Sequence, residues 1–175
     1  EILLVAVSDR AIAEVVAKVP KTDGIVAHAS GAQPAPPDGF ALHPLKALPP
    51  VGEPSDLENT LLVFQGEHRK TAKLIATAIG ARFAEVTAEQ KPLYHAAAVF
   101  GANYVAAVLD IAEELMQRAG LTGTHEDLTA LPRSAIQNCT LHTDRSRFTG
   151  PAARGDQETV RRHLQALASW LPEPG

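Results

Sequence analysis

The chain has 175 residues, 45% of them apolar and 21% charged, and a formal net charge of −4. That length buries a core for one domain or two small ones. The acidic balance leaves no basic excess to meet phosphates, which excludes a general nucleic-acid binder. A single cysteine, Cys139, rules out an internal disulfide framework and a cysteine zinc site, and suits a reducing, cytoplasmic compartment.

The first predicted element is Ile2 to Val7, ILLVAV. It is apolar on both faces, which predicts a strand covered on both sides within a parallel sheet. A strand of that kind at residue 2 needs a neighbour. The expectation is that an upstream or partner segment pairs with it; the alternative is an edge strand sheltered by a loop. No charged stretch leading an apolar run marks a signal peptide. Ser8-Asp9 predicts a helix N-cap, and Ala11, Ile12, Val15, Val16 and Val19 carry helical spacing up to Pro20. Gly24 to Ala29 predicts a second strand ending in Ser30-Gly31, giving the β-α-β rhythm of a parallel sheet.

Residues 32 to 58 are proline-rich and predict a loop or flap, with a short strand at Phe40 to Leu42 followed by His43-Pro44. Thr60 to Phe64 predicts a strand, Gly66 to Gly80 a helix closed by its glycine, and Arg82 to Val86 a last strand. Thr87 to Gln90 fits a capping box. It opens a long helix that should run to about Ala119, with Pro92 bending or fraying its first turns. Ala96 to Leu109 is its most apolar part, too short to cross a bilayer and leading into Asp110, Glu113 and Glu114. Two further helices follow, about Glu126 to Leu141 and Asp156 to Leu171. Thr124 to Asp127 fits a second capping box, which is preferred over a metal reading of His125-Glu126-Asp127. The tail LPEPG is expected to be disordered.

Candidate chemistry gathers at Glu89 to Tyr104, EQKPLYHAAAVFGANY. At about 100° per residue, Lys91, His95, Ala98 and Ala102 share one helix face, and Asn103 flanks it. This predicts a proton donor, His95 or Lys91, and an orienting amide, Asn103, facing a cleft. The alternative is helix packing on the alanines, with His95 a core histidine. His28 and Ser30 at one strand end, and His43 at another, stand where open α/β sheets bind ligands. Arg154, in TGPAARGD, is a candidate anion clamp or a helix-capping loop residue. No G-x-S-x-G elbow supports a hydrolase, and no G-x-G-x-x-G is present.

Taken together, KPLYHAAAVFGANY, VAVSD, HASG, FALHPL and TGPAARGD resemble, in order and over nearly the whole chain, the Rossmann-like oxidoreductases whose C-terminal helical domain carries a domain-of-unknown-function label. These are members of the 6-phosphogluconate-dehydrogenase-like superfamily. The resemblance implies a partial Rossmann-like nucleotide-binding domain over 1–86 and a helical substrate and dimerisation domain over 87–175. It implies an NADP or NAD cofactor touching Val7, Ser8, Asp9, His28 and Ser30. It also implies a substrate near His43, Tyr94 and Arg154, and catalysis by His95, Lys91 and Asn103. Relatives begin with a strand, a Gly-rich turn and a helix that are not in this sequence, which matches the neighbour that ILLVAV needs. The Lys and Asn that related hydroxyacid dehydrogenases space four apart are not so spaced here, since Val99 follows His95 by four.

The expected function is hydride transfer from NADP or NAD to a small carbonyl or imine substrate bearing a carboxylate, by a homodimer with no nucleic-acid or membrane partner. A 2-oxo acid and a pyrroline-5-carboxylate-type imine are both open. The rival from another class is a non-catalytic binding or assembly module that keeps the fold without the phosphate-binding loop.

Overall fold

The computed structural model describes residues 1–20, 23–49, 53–144 and 147–170. The tail LPEPG and parts of the proline-rich and 145–156 loops lie outside them. The chain forms two compact units, Glu1–Ala107 and Val108–Gly175.

The first unit holds a five-stranded sheet in the order β1 (Ile2–Val5), β2 (Ile25–His28), β3 (Phe40–Pro44), β4 (Leu61–Gly66) and β5 (Arg82–Glu85). Helix α1 (Asp9–Lys18) links β1 to β2, and α2 (Arg69–Ala78) links β4 to β5. This is the expected α/β arrangement, with one correction. The pairs β1–β2, β2–β3 and β4–β5 are parallel, but β3 and β4 are antiparallel. No helix is described between β3 and β4, so that connection gives no crossover to turn the chain back into a parallel strand.

The core of this unit is Ala27, Phe40, Phe64 and Ala72, with Ile25, Leu42, Ile75 and Phe83 packed against it. The Phe40 and Phe64 rings lie 6.1 Å apart, and Phe64 and Phe83 5.7 Å apart. Each such ring buried contributes about 1.5–3 kcal/mol. Two predicted strands prove longer. β3 continues through His43 and Pro44, and β4 through Gly66, whose φ of +120° suits glycine. Phe40 pairs with Gly66, and a Cβ there would stand 2.5 Å from the Gly39 carbonyl oxygen. Helix α2 accordingly starts at Arg69.

Strand β1 lacks a second neighbour, in keeping with the expectation of a separate pairing segment and without the sheltering loop of the alternative. It is an edge of the described sheet, and Ile2, Leu3 and Leu4 are 40%, 47% and 61% exposed; only Val5 is buried. Its first three residues therefore lie open within the chain described.

The capping box forms as predicted. Gln90 N–H donates to Thr87 Oγ1 at 3.2 Å, and Thr87 N–H donates to Gln90 Oε1 at 3.0 Å. Helix α3 (Lys91–Gly101) follows, with Pro92 in its first turn where the missing N–H costs nothing. The single long helix does not hold: Ala102, at φ −128° and ψ −69°, separates α3 from α4 (Asn103–Arg118). Gly101 weakens the helix at that point. The stretch Lys91–Arg118 is nonetheless long and apolar enough by composition to cross a membrane, with a mean hydropathy of 1.4, a description that also fits a helix covered by protein. Leu93, Phe100, Tyr104 and Val108 along it are 77%, 67%, 49% and 64% exposed.

The second unit contains the rest of α4, α5 (His125–Leu141) and α6 (Gln157–Ala168). Asp156 caps α6 as predicted, accepting from Thr159 N–H at 3.0 Å, and that bond holds its carboxyl below the usual range. Trp170 Nε1 donates to Glu114 Oε1 at 3.1 Å. The Thr124 box does not form, because Thr124 makes no side-chain cap; His125 instead meets Glu113 at 3.2 Å.

Candidate functional site

The site grows from the ends of β1, β2 and β3. At the end of β2, His28 is 1% exposed and both its ring nitrogens are used. Nε2–H donates to the Pro34 carbonyl at 2.8 Å, and Nδ1 accepts from Ser30 N–H at 3.1 Å. Those partners require the neutral ring, and burial lowers its pKa further. Ser30 Oγ accepts from the amides of Ala32 and Gln33, at 3.2 and 3.0 Å. The segment HASG is thus a self-bonded turn, held at its far side by Ala35 N–H donating to Gln65 Oε1 at 2.7 Å.

Helix α3 brings Lys91, Tyr94 and His95 toward this turn. Tyr94 Oη and His43 Nδ1 share a hydrogen bond of 2.6 Å, and the rings of His43 and His95 stand edge to face, 6.1 Å between centroids. The two imidazoles crowd Gly31. A Cβ on Gly31 would lie 2.6 Å from His95 Cδ2 and 2.9 Å from His43 Cε1 and Nε2. Gly31 is therefore the seat of the cluster. Sequence reasoning read it only as the end of a strand, although a glycine directly after a turn-forming serine was the available signal.

Lys91 is 4% exposed, and its Nζ has no hydrogen-bond partner among the described residues. Burial lowers its pKa to about 8, opposed by the Asp9 carboxylate. Burial also lowers His43, reinforced by the positive charges of His95 and Lys91, and raises the Tyr94 phenol. The groups facing one another are thus basic or neutral, with Asp9 the acidic influence. The Lys91 ammonium is the positive charge held here, on a chain of net charge −4.

Of the remaining predicted residues, Val7, Ser8 and Asp9 form an exposed segment from β1 into α1. Asn103 is exposed at the start of α4. The break at Ala102 voids the straight-helix reckoning that set it beside His95. Arg154 lies in the second unit, where its guanidinium donates to the Thr149 carbonyl of its own loop. A cavity of about 460 Å³ opens elsewhere, between the ends of β4 and β5, lined by Phe64 to Glu67 and Glu85 to Ala88. None of the clustered side chains lines it.

No curated protein matches the chain in sequence. In fold it superposes on protein TM1727 from Thermotoga maritima with a TM-score of 0.76 and 20% identity, over 96% of this chain and 69% of that one. It superposes on a Bacteroides fragilis protein named "putative NADP oxidoreductase BF3122" with a TM-score of 0.78 and 20% identity, over 96% of this chain and 68% of that one. At that identity the likeness establishes the fold, a Rossmann-like α/β sheet followed by helices. Residues 63–174 match the family described as Domain of unknown function (DUF2520), and they make up more than half of the chain. On that match, the chain belongs to the DUF2520 family.

Proposed function

We propose that this chain forms the substrate end of an NAD(P)-dependent oxidoreductase, which transfers a hydride to a small carbonyl or imine substrate bearing a carboxylate. The observation that carries this reading is the convergence of Lys91, Tyr94 and His95 from α3 on His43. The name of the Bacteroides fragilis neighbour supports it, as does the resemblance of the motifs to 6-phosphogluconate-dehydrogenase-like enzymes.

The residues present fit one end of a dinucleotide. The exposed segment Val7–Asp9 enters the N-terminus of α1, where Ser8 makes no side-chain cap and Ala11 N–H donates to the Ser8 carbonyl at 2.8 Å. His28 and Ser30 hold the neighbouring turn in shape. No G-x-G-x-x-G is present, so the pyrophosphate needs other residues. A strand carrying such a turn, from a preceding segment or a partner, would pair with the free edge of β1 and cover Leu3 and Leu4.

When bound, the nicotinamide supplies the hydride that adds to the substrate carbon, whose π electrons pass to oxygen or nitrogen. This chain's part is to meet that atom. His95, helped by Lys91, gives it a proton. The exposed apolar residues Leu93, Phe100 and Tyr104 support assembly as a homodimer.

The test is titration of the full-length gene product, including any coding sequence preceding Glu1, with NADPH and NADH. Saturable binding of either supports an oxidoreductase. A folded protein that binds neither overturns this reading and leaves the non-catalytic binding or assembly module.

A further inference from the structure

We infer that the cluster around Gly31 selects a 2-oxo acid over a cyclic imine, because Tyr94 fixes His43 as a hydrogen-bond donor beside the unpartnered Lys91 ammonium. The inference rests on the oxidoreductase reading and narrows its substrate.

The argument begins with the direction of one hydrogen bond. Tyr94 Oη and His43 Nδ1 are 2.6 Å apart. A phenol is a stronger acid than an imidazole N–H, and an imidazole nitrogen is a better acceptor than a phenol oxygen, so Tyr94 donates. A neutral imidazole has one donor and one acceptor nitrogen. With Nδ1 accepting, the proton sits on Nε2. His43 Nε2 makes no hydrogen bond among the described residues and stands at Gly31, which has no side chain of its own. Tyr94 is thus a positioning residue that turns His43 into an N–H donor.

Lys91 is the second open group, and it too can only donate. It stands on α3 one turn before Tyr94, which bonds His43, and its positive charge acts on both His28 and His43. Of the other two histidines, His28 has both nitrogens committed, and the His95 atom nearest Gly31 is the ring carbon Cδ2, which accepts nothing. The complement of two donors and a positive charge is an oxygen acceptor next to an anion: a carbonyl with an adjacent carboxylate. A protonated cyclic imine brings an N–H donor and a positive charge to the same place, which the cluster opposes. A site that must pair a substrate group discriminates strongly when that pairing is wrong, because its own polar groups are left unsatisfied.

The experiment compares two probes that share a carboxylate on the full-length protein. Oxamate presents a carbonyl beside it; pyrrole-2-carboxylate presents a ring N–H. Binding is followed by ¹⁵N and ¹H NMR of the histidine rings and by calorimetry. The expected result is a His43 ring unprotonated at Nδ1, with oxamate at least about 10-fold tighter than pyrrole-2-carboxylate, one correctly paired hydrogen bond being of that size. Tyr94→Phe should remove the tautomer preference and most of the oxamate preference; Lys91→Met should weaken both carboxylates. The inference is overturned by equal or tighter binding of pyrrole-2-carboxylate, by binding of neither, by a protonated Nδ1, or by an unchanged oxamate affinity in Tyr94→Phe. Failure of the oxidoreductase reading shows separately, as oxamate selectivity in a protein that binds neither NADPH nor NADH.

Discussion

Tyr94 and His43 are 51 residues apart in the chain and share a hydrogen bond of 2.6 Å. That contact ties helix α3 to the end of strand β3. It depends on three local facts: β3 runs two residues past Leu42, α3 begins at Lys91 behind a formed capping box, and residue 31 is a glycine. Each has a measurable consequence.

Lys91 should destabilise the protein at neutral pH. Its pKa falls from 10.5 unfolded to about 8 folded, so the folded state disfavours the charged form. Between those values the unfolded chain binds more protons, and stability rises with pH; below pH 8 the whole cost is present, on the order of 3 kcal/mol. Lys91→Met keeps the stem and removes the charge. It should raise the urea midpoint at pH 7 and abolish the gain that the native protein shows between pH 8 and 10. A lower midpoint, with the pH slope intact, would show that the ammonium is structural.

The histidines act in the acid range. His28 and His43 have folded pKa values below 6.5, chiefly through burial. As pH falls below 6.5 the unfolded state takes up protons that the folded state refuses, so stability should decline from there downward. Thermal midpoints at pH 7, 6 and 5 measure this. In His43→Gln, which keeps a donor near the Nε2 position, the decline should be shallower; an identical slope would remove His43 as a cause.

Gly31→Ala tests the seat of the cluster. The backbone there is not in the left-handed region, so the effect is steric: the new methyl meets both imidazoles at under 3 Å. Such overpacking costs about 1–3 kcal/mol. The His43 and His95 ring signals should move in NMR spectra and the Tyr94–His43 bond should be lost. An alanine variant with unshifted ring signals would show that the crowding is relieved elsewhere.

Thr87→Ala removes half of the capping box. An N-cap loss costs about 1 kcal/mol. The effect should extend to the site, because Lys91 N–H bonds the Thr87 carbonyl at 3.1 Å and Lys91 opens the helix. Hydrogen exchange of the Lys91 and Leu93 amides should quicken, while β4 amides keep their protection. Thr87→Ser should restore most of the loss.

The sequence by itself determined the elements whose signals are local. Strand and helix order through β5, the Thr87–Gln90 box and the Asp156 cap all depend on neighbours within a few residues, and each formed. The cluster's members on α3 were legible for the same reason, since Lys91 and His95 are one turn apart. What only the tertiary structure decided were relations across the chain. The antiparallel return of β4 depended on a connection without a helix, and the exposure of β1 on which strands lie beside it. The break at Ala102 ends the angular count before it reaches Asn103, because that count holds only while the helix is continuous. The partner of Tyr94 and the burial of the Lys91 ammonium without a hydrogen-bond partner among the described residues follow from packing between segments far apart in sequence, whereas His28 is committed locally, to Ser30 and Pro34. Residue spacing on α3 fixes which side chains share a face; it holds no information about the strand end that meets them.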